Sequence, residues 1–318
     1  MTVLRLLLPS LAVVERHGGP ELAMLRARGD RLPDGDAGRR AAALRVFALV
    51  PARVLPIAAL TRQADVGDAG DAVWLRADPG HAQADMSSLR LLRSGDLDLD
   101  ATEASALVRS LKPLFGDAGY ELSAPTPARW FLRGILSAEF PDAPDPAEIL
   151  GDDLQDHLPA GAAGAKWRRL LNEAQILLHQ HEVNRARAAR GALPANTLWF
   201  WGGGALPQSV ASPFARLASA DEVLLALGRR AGLSIMDPER YEAVNPLPAT
   251  VVESWSPFGF RRLLDAVLPG RMRELRRGLI ATLELDCLSG ERWTVTRRNL
   301  WRLWRRPAVP LPARPPED

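Results

Sequence analysis

Chemistry-bearing residues are densest between His181 and Gly204. His181, Asn184 and Arg187 stand three apart, so on a helix an imidazole, an amide and a guanidinium share one face. Such a set suits an anionic oxygen ligand, a phosphate or a carboxylate. Asn196-Thr197-Leu198-Trp199-Phe200-Trp201 follows as a buried-strand pattern, closed by Gly202, Gly203 and Gly204. Glycines there let backbone N–H groups approach a ligand, and open α/β sheets bind ligands at strand ends. The same residues also have a structural reading, with Asn184 capping a helix, Gly191 ending one and the glycines allowing close packing. Gly-Lys-Ser/Thr and Gly-x-Gly-x-x-Gly are both missing, which argues against a P-loop and a dinucleotide site.

A second candidate is Trp74-Leu75-Arg76-Ala77-Asp78-Pro79-Gly80-His81, where Arg76, Asp78 and His81 follow a strand. They could line a cleft or form a polar turn with an Arg–Asp pair. Arg129, beside Trp130, is a third candidate anion contact. Metal-ligand spacing is not found: His179 and His181 are two apart and diverge by roughly 200° on a helix. Neither His-Glu-x-x-His nor Gly-x-Ser-x-Gly occurs. Ser10 follows the first strand, but no neighbour in sequence could activate it. Near the end, Arg297-Arg298-Asn299-Leu300-Trp301-Arg302-Leu303-Trp304-Arg305-Arg306 interleaves arginine with tryptophan. That mixture suits RNA, an anionic partner or a membrane surface. The plainer expectation is a terminal helix docking Leu300, Trp301 and Trp304 on the body.

The elements that must hold these residues can be read from periodicity. Strands are expected at Val3–Leu8, at 72–77 with a partner at 88–92, at 120–123, 129–132 and 250–253, and as an antiparallel pair at 279–286 and 292–296. Asp100-Ala101-Thr102-Glu103 has capping-box spacing, and Leu107, Leu111 and Leu114 continue it as a helix to about Phe115. Trp167, Leu170, Leu171, Ala174 and Leu178 form one stripe of a helix from Lys166 to about His179. Helices are also expected at 20–28, 41–50, from Ser219 to about Ala231, and at 258–268, with an exposed loop at 30–36.

Composition bounds the class. The chain has 318 residues, 47% hydrophobic and 25% charged, within the range of globular domains and outside that of fibrous or disordered chains. A net charge of +2 is too small to imply nucleic-acid binding. Lys112 and Lys166 are the only lysines among 40 basic residues, which we read as composition rather than anion binding. One cysteine, Cys287, excludes an internal disulfide and fits a reducing compartment. No run approaches the roughly 18–20 apolar residues of a spanning helix, and the start lacks a signal-peptide pattern. A cytoplasmic protein without membrane or nucleic-acid partners is the expectation.

The run from His181 to Gly204 resembles the His-Pro-x-Asn-x-x-Arg-x-x-x-Gly-x-x-Pro-x-Asn and Arg-Gly-x-Gly pattern of archaeal-type, cofactor-independent phosphoglycerate mutases of the alkaline phosphatase superfamily. The block 74–81, the Glu103 helix, Arg129-Trp130 and Leu171-Asn-Glu-Ala-Gln175 resemble a shorter bacterial branch, labelled phosphoglycerate mutase or regulatory protein of the RpfE type. The similarity covers about residues 70–235. It implies an α/β fold: a reduced alkaline-phosphatase-like sheet core carrying an inserted α+β domain. The expected division is core at 1–70, insertion at 71–138, linker at 139–165, core again at 166–306, and a disordered proline-rich tail at 307–318. It also implies a phosphoester site lined by His181, Asn184, Arg187, Asn196 and Gly202 to Gly204.

Two departures qualify that implication. Trp201 stands where the mutases have arginine. The mutases also hold two divalent metals through an Asp after the first strand and through later Asp and His residues. Here the first strand ends in Pro9-Ser10, no histidine follows His181, and Asp237, Asp265 and Asp286 lack histidine partners. A metal pair lowers the nucleophile's pKa and clamps both reacting oxygens, so its loss removes the chemistry. The expectation is a catalytically degenerate, regulatory or metabolite-binding relative with no cofactor, taking a phosphorylated or carboxylated small molecule or a protein partner. The alternatives are an active phosphotransfer enzyme and a scaffold using the Arg/Trp C-terminus.

Overall fold

The leucine-rich run Val3–Leu8 is stopped by Pro9 and forms strand β1, buried along most of its length. Helices α1 (Leu11–His17) and α2 (Gly19–Arg28), strand β2 (Asp30–Leu32), helix α3 (Arg39–Val46) and strand β3 (Ala48–Val50) follow. Next come α4 (Ile57–Asp65), β4 (Val73–Ala84), β5 (Leu89–Ser94), α5 (Ala101–Asp117), β6 (Glu121–Ser123) and β7 (Phe131–Gly134). Helices α6 (Gly161–Gln180) and α7 (Glu182–Ala189) then lead into β8 (Thr197–Ala205). The rest is β9 (Ser209–Ala211), β10 (Arg216–Ala218), α8 (Glu222–Arg230), β11 (Ser234–Met236), β12 (Thr250–Glu253), α9 (Pro257–Arg262), α10 (Leu268–Arg277), β13 (Thr282–Cys287) and β14 (Arg292–Thr296). This computed structural model describes residues 2–51, 54–85, 88–135, 138, 140–158, 160–237 and 248–307. The expected proline-rich tail lies, from residue 308, outside them.

Two units make up the chain: Met1–Ala52 with Ser209–Asp318, and Arg53–Gln208. The first is an α/β unit. Its seven-stranded sheet has the order β11-β10-β12-β1-β13-β14-β2, with the first five strands parallel and the last two added antiparallel. Leu4, Leu6, Leu8, Leu283 and Leu285 of the central strands pack with Leu22 and Leu25 of α2 and Met272 and Leu275 of α10. The second is an α+β unit. There β4 pairs on one edge with β5 and β7 and on the other with β8, all antiparallel. Leu107, Leu111 and Phe115 of α5 and Trp167, Leu170 and Leu178 of α6 share its core with Leu75, Leu132 and Phe200.

The expected capping box is present: Asp100 accepts from the Glu103 backbone N–H at 2.8 Å, and Glu103 accepts from that of Asp100 at 3.2 Å. Several boundaries differ from expectation. Residues 53–70 and 139–208 belong to the second unit, because β8 pairs with β4 from Val73 to Gly80 and the α6 stripe fills the same core as α5. Asp30–Leu32 is an edge strand rather than a loop, paired with Thr294–Arg292 far along the chain. The helix expected to reach residue 50 stops at Val46, since Ala48–Val50 pairs with β9. The helix expected at 258–268 is present and runs further, passing from α9 through a π-helical turn, Leu263–Val267, straight into α10. Leu300 packs against the first unit's core as expected, but Trp301 and Trp304 are exposed, because only a 3₁₀ turn, Asn299–Trp301, forms there.

Candidate functional site

Helix α7 brings the motif residues of the second unit together and turns them inward. His181 is its N-cap, its Nδ1 accepting from the Val183 backbone N–H at 3.2 Å. One turn on, Asn184 is 4% exposed and joins the two ends of the motif. Its Nδ2 donates to the carbonyls of Leu178 and Ala195 at 2.8 Å, and its Oδ1 accepts from the Ala195 N–H at 2.9 Å. Arg187, 1% exposed, donates through Nε to Leu193 O at 2.9 Å and through Nη1 to Glu103 Oε2 at 2.6 Å. Further bonds run to the carbonyls of Asp98 and Leu97. Arg190 reaches the other Glu103 oxygen at 2.6 Å. Burial pushes the Glu103 carboxyl up, but hydrogen bonds from Arg190 and the Asp100 backbone, together with the Arg187 charge, outweigh it and hold it below its ordinary 4.5.

Asn196 pairs with the Ala82 backbone through both amide atoms at 2.8 Å, fastening the start of β8 to the far half of β4. His81 Nδ1 lies 2.9 Å from Pro194 O. Around Gly202 to Gly204 the backbone admits no side chain: a Cβ on Gly202 would meet Ile57 Cβ at 2.9 Å, and one on Gly203 Phe140 Cβ at the same distance. Gly204 has φ +147 and would meet Pro56 Cβ at 2.7 Å. In this unit the glycine run lets the start of α4 and Phe140 lie against β8.

Arg76 and Asp78, both buried, form an ion pair at 2.8 Å. Trp201, in the place of the mutases' arginine, donates its indole N–H to Asp78 Oδ2 at 2.7 Å and lies under the Arg76 guanidinium at 5.3 Å. An aromatic N–H thereby joins the Arg76 guanidinium as a donor to the Asp78 carboxylate. Arg129 is apart from this group, paired to both oxygens of Asp65 at 2.7 Å.

A second cluster, not singled out from the sequence, lies past the C-terminal ends of parallel strands in the first unit. Glu253, the last residue of β12, accepts from Ser219 Oγ at 3.0 Å and from the backbone N–H groups of Ala220 and Trp255 at 3.2 and 2.6 Å. Asp221 caps α8 by accepting from Val223 and Leu224 N–H. Its carboxyl is raised from 3.8 to about 6, mainly by burial, with the Glu253 and Glu222 charges adding and the Leu224 N–H and Arg39 opposing. Arg39 lies 3.7 Å from Asp221 and 5.7 Å from the centre of the Trp255 ring. The Trp255 indole nitrogen is buried with no hydrogen-bond acceptor among the described residues, although the residue is only 8% exposed. A glutamate closing an otherwise apolar strand, Thr250–Glu253, is the sequence signal for this cluster.

The donor set does not fit the two-metal centre that the mutase resemblance implies. Asp286, on β13 beside β1, is bound by Arg45, with Nη2 at 2.7 Å and Nε at 3.1 and 3.2 Å from its oxygens. Ser10 has no carboxylate to offer, and Asp265 is exposed on the π-helical turn. Among the described residues no group of three or more His, Cys, Asp or Glu side chains is placed to hold a metal ion.

The architecture defines the chain as a mixed α/β protein with an α+β segment set, in sequence, between the two parts of its sheet-bearing unit. No protein-family model matches it. It is similar to 2,3-bisphosphoglycerate-independent phosphoglycerate mutases, partially and at low identity. The enzyme of Methanosarcina barkeri is 26% identical over 242 residues, 72% of this chain and 57% of the relative. That of Methanothrix thermoacetophila is 34% identical over 97 residues, 29% of this chain and 25% of the relative. The chain thus spans little more than half of one relative's length and a quarter of the other's. Among solved structures, the cofactor-independent phosphoglycerate mutase of Thermoplasma acidophilum aligns with a TM-score of 0.42 at 14% identity, covering 93% of this chain and 89% of that one. No helix among the described residues is long and apolar enough to cross a membrane.

Proposed function

We propose that this chain is a phosphoglycerate mutase-like protein that binds a phosphorylated or carboxylated small molecule and acts through binding rather than turnover, in a regulatory role. The observation that carries this reading is the Arg45–Asp286 pair. A guanidinium neutralises the carboxylate that β13 offers beside β1, and β1 itself is followed by Pro9 and Ser10, which carry no carboxylate. A carboxylate held this way cannot ligate a divalent ion without first losing its arginine, and breaking such a pair is costly.

Support for an anionic ligand comes from two sources. The similarity to phosphoglycerate mutases favours a phosphoglycerate-like molecule. The buried indole N–H of Trp255 lacks an acceptor among the described residues, and leaving such a donor unmade costs about 1–3 kcal/mol. An oxygen of a bound anion near Arg39 would supply it. We therefore place the ligand past the strand ends of the first unit, where open parallel sheets bind ligands. The motif residues His181, Asn184, Arg187 and Asn196 and the glycines then act as the frame of the second unit.

The test is a thermal-melt screen of the full chain with 3-phosphoglycerate, inorganic phosphate and citrate, beside a mutase assay with added manganese and metal analysis of the protein. A stabilising shift lost in Arg39→Ala, with no turnover, is the expected result. Two bound divalent ions and phosphoglycerate turnover would establish an active enzyme and end this reading.

A further inference from the structure

The segment following β14 is fixed by polar contacts that leave its largest apolar side chains uncovered. Asn299 Oδ1 accepts from the Thr296 N–H at 2.8 Å, and its Nδ2 donates to Asp30 at 3.0 Å. Arg302 pairs with Asp30, Arg305 donates to Gly29 O at 3.1 Å, and Arg28 donates to Leu300 O at 2.9 Å. Held by these bonds, Trp301 is 71%, Leu303 64% and Trp304 76% exposed. The other seven of the nine tryptophans are all buried, so exposure is a property of this segment and not of the residue type in this protein. Arg297, Arg298 and Arg306 are exposed around them, and no acidic residue occurs between Arg292 and Pro316.

We propose that this surface docks on an anionic lipid bilayer. Tryptophan and leucine projecting together partition into the headgroup–acyl boundary, where an indole keeps its N–H wet and its rings dry. Guanidinium groups around them meet lipid phosphates with matched geometry and charge. A nucleic acid would use the indole faces for stacking but gains nothing from Leu303, which has no π-face. It would also want a run of guanidinium groups along a backbone, whereas Arg28, Arg302 and Arg305 are committed to Asp30 and to carbonyls. The charge is positive and the apolar group small, so the contact is peripheral and reversible. It stands independently of the ligand reading above.

The experiment is co-sedimentation of the full chain with vesicles of phosphatidylcholine alone and of phosphatidylcholine with phosphatidylglycerol, with tryptophan emission followed in parallel. Three exposed arginines predict a preference of about a hundredfold for the anionic vesicles, weakened by salt. Emission should shift to the blue on binding. The double substitution Trp301→Ala with Trp304→Ala removes exposed side chains only, so it should fold as the parent does while losing both sedimentation and shift. Absence of vesicle binding by the parent overturns the proposal. So does equal binding by parent and double variant, and so does binding of single-stranded RNA, sensitive to that substitution, without vesicle binding.

Discussion

Glu103 in the second unit and Asp221 in the first are both largely buried carboxylates at the start of a helix, yet they are driven in opposite directions. Glu103 receives two guanidinium groups at 2.6 Å and is held below its ordinary value. Asp221 has one arginine, at 3.7 Å, faces the negative charges of Glu253 and Glu222, and is raised to about 6. The first is what a fold does with a charge it means to keep fixed, namely pair it at contact distance. The second is a charge the fold tolerates without fully compensating, the more common condition of a group that titrates or meets a ligand. On the function proposed above, the motif serves as a frame held by paired charges and the strand ends serve as the site.

The largest expected effect tests the frame. Arg187→Ala leaves Glu103 buried with only Arg190 and strips donors from the carbonyls of Leu193, Leu97 and Asp98. Breaking a buried pair of this kind costs about 3–5 kcal/mol. Urea unfolding of the variant, followed by hydrogen exchange at α5 and α7, should show that loss in the second unit. A loss under about 1 kcal/mol would mean that Arg187 is not structural and would return it to the candidate ligand contacts.

Next in size is a contrast in pH dependence. A carboxyl whose folded value is raised contributes stability below its unfolded value, 3.8 for Asp221, and loses it as pH rises through about 6. That difference between the folded and unfolded values corresponds to about 3 kcal/mol. Glu103, with a lowered folded value, does the reverse: its contribution is present above 4.5 and is lost as pH falls through the folded value. Hydrogen exchange measured from pH 4 to 7 should therefore find α8 losing protection as pH rises, while α5 does not. Asp221→Asn, which keeps a good helix cap, should flatten the α8 trend. An unchanged trend in that variant would place the titration elsewhere.

How much of this is legible in the sequence depends on the distance between partners. The Asp100–Glu103 capping box, the stripe of α6 and the strand Val3–Leu8 are written within one or two turns of chain, and they appear as expected. Asp30–Leu32 has the residue types of a loop because its pairing partner, β14, is more than two hundred residues away and supplies the ladder bonds its own residue types do not request. The same limit hides the character of the motif. His181, Asn184 and Arg187 do lie along one short helix, as their spacing requires. Nothing in that spacing reveals that Glu103, 84 residues earlier, has already taken the guanidinium. Glu253 and Asp221 escape notice for the complementary reason, since each has an adequate local role, as strand end and as helix cap.

Asn184→Ala should cost less than Arg187→Ala, about 2 kcal/mol, because the groups left unpaired are neutral, both backbone groups of Ala195, while the Leu178 carbonyl keeps the His181 N–H. Its effect should be confined to the second unit and leave the pH response of α8 unchanged. A change in that response would mean that the two regions do not behave as separate units.

The smallest effect isolates burial from pairing. Arg129 makes two bonds of 2.7 Å to Asp65, a geometry as good as that of Arg187, but its side chain is 27% exposed where that of Arg187 is 1%. Water can take over the bonds of both partners when Arg129 is removed, so Arg129→Ala should cost no more than about 1 kcal/mol in the same urea titration. Closeness of contact is nearly equal in the two pairs, and access to solvent is the variable that separates them. If Arg129→Ala destabilised the protein as much as Arg187→Ala, burial would not be what distinguishes the frame from the surface. The reading of Arg187 as a structural residue would then lose its physical basis.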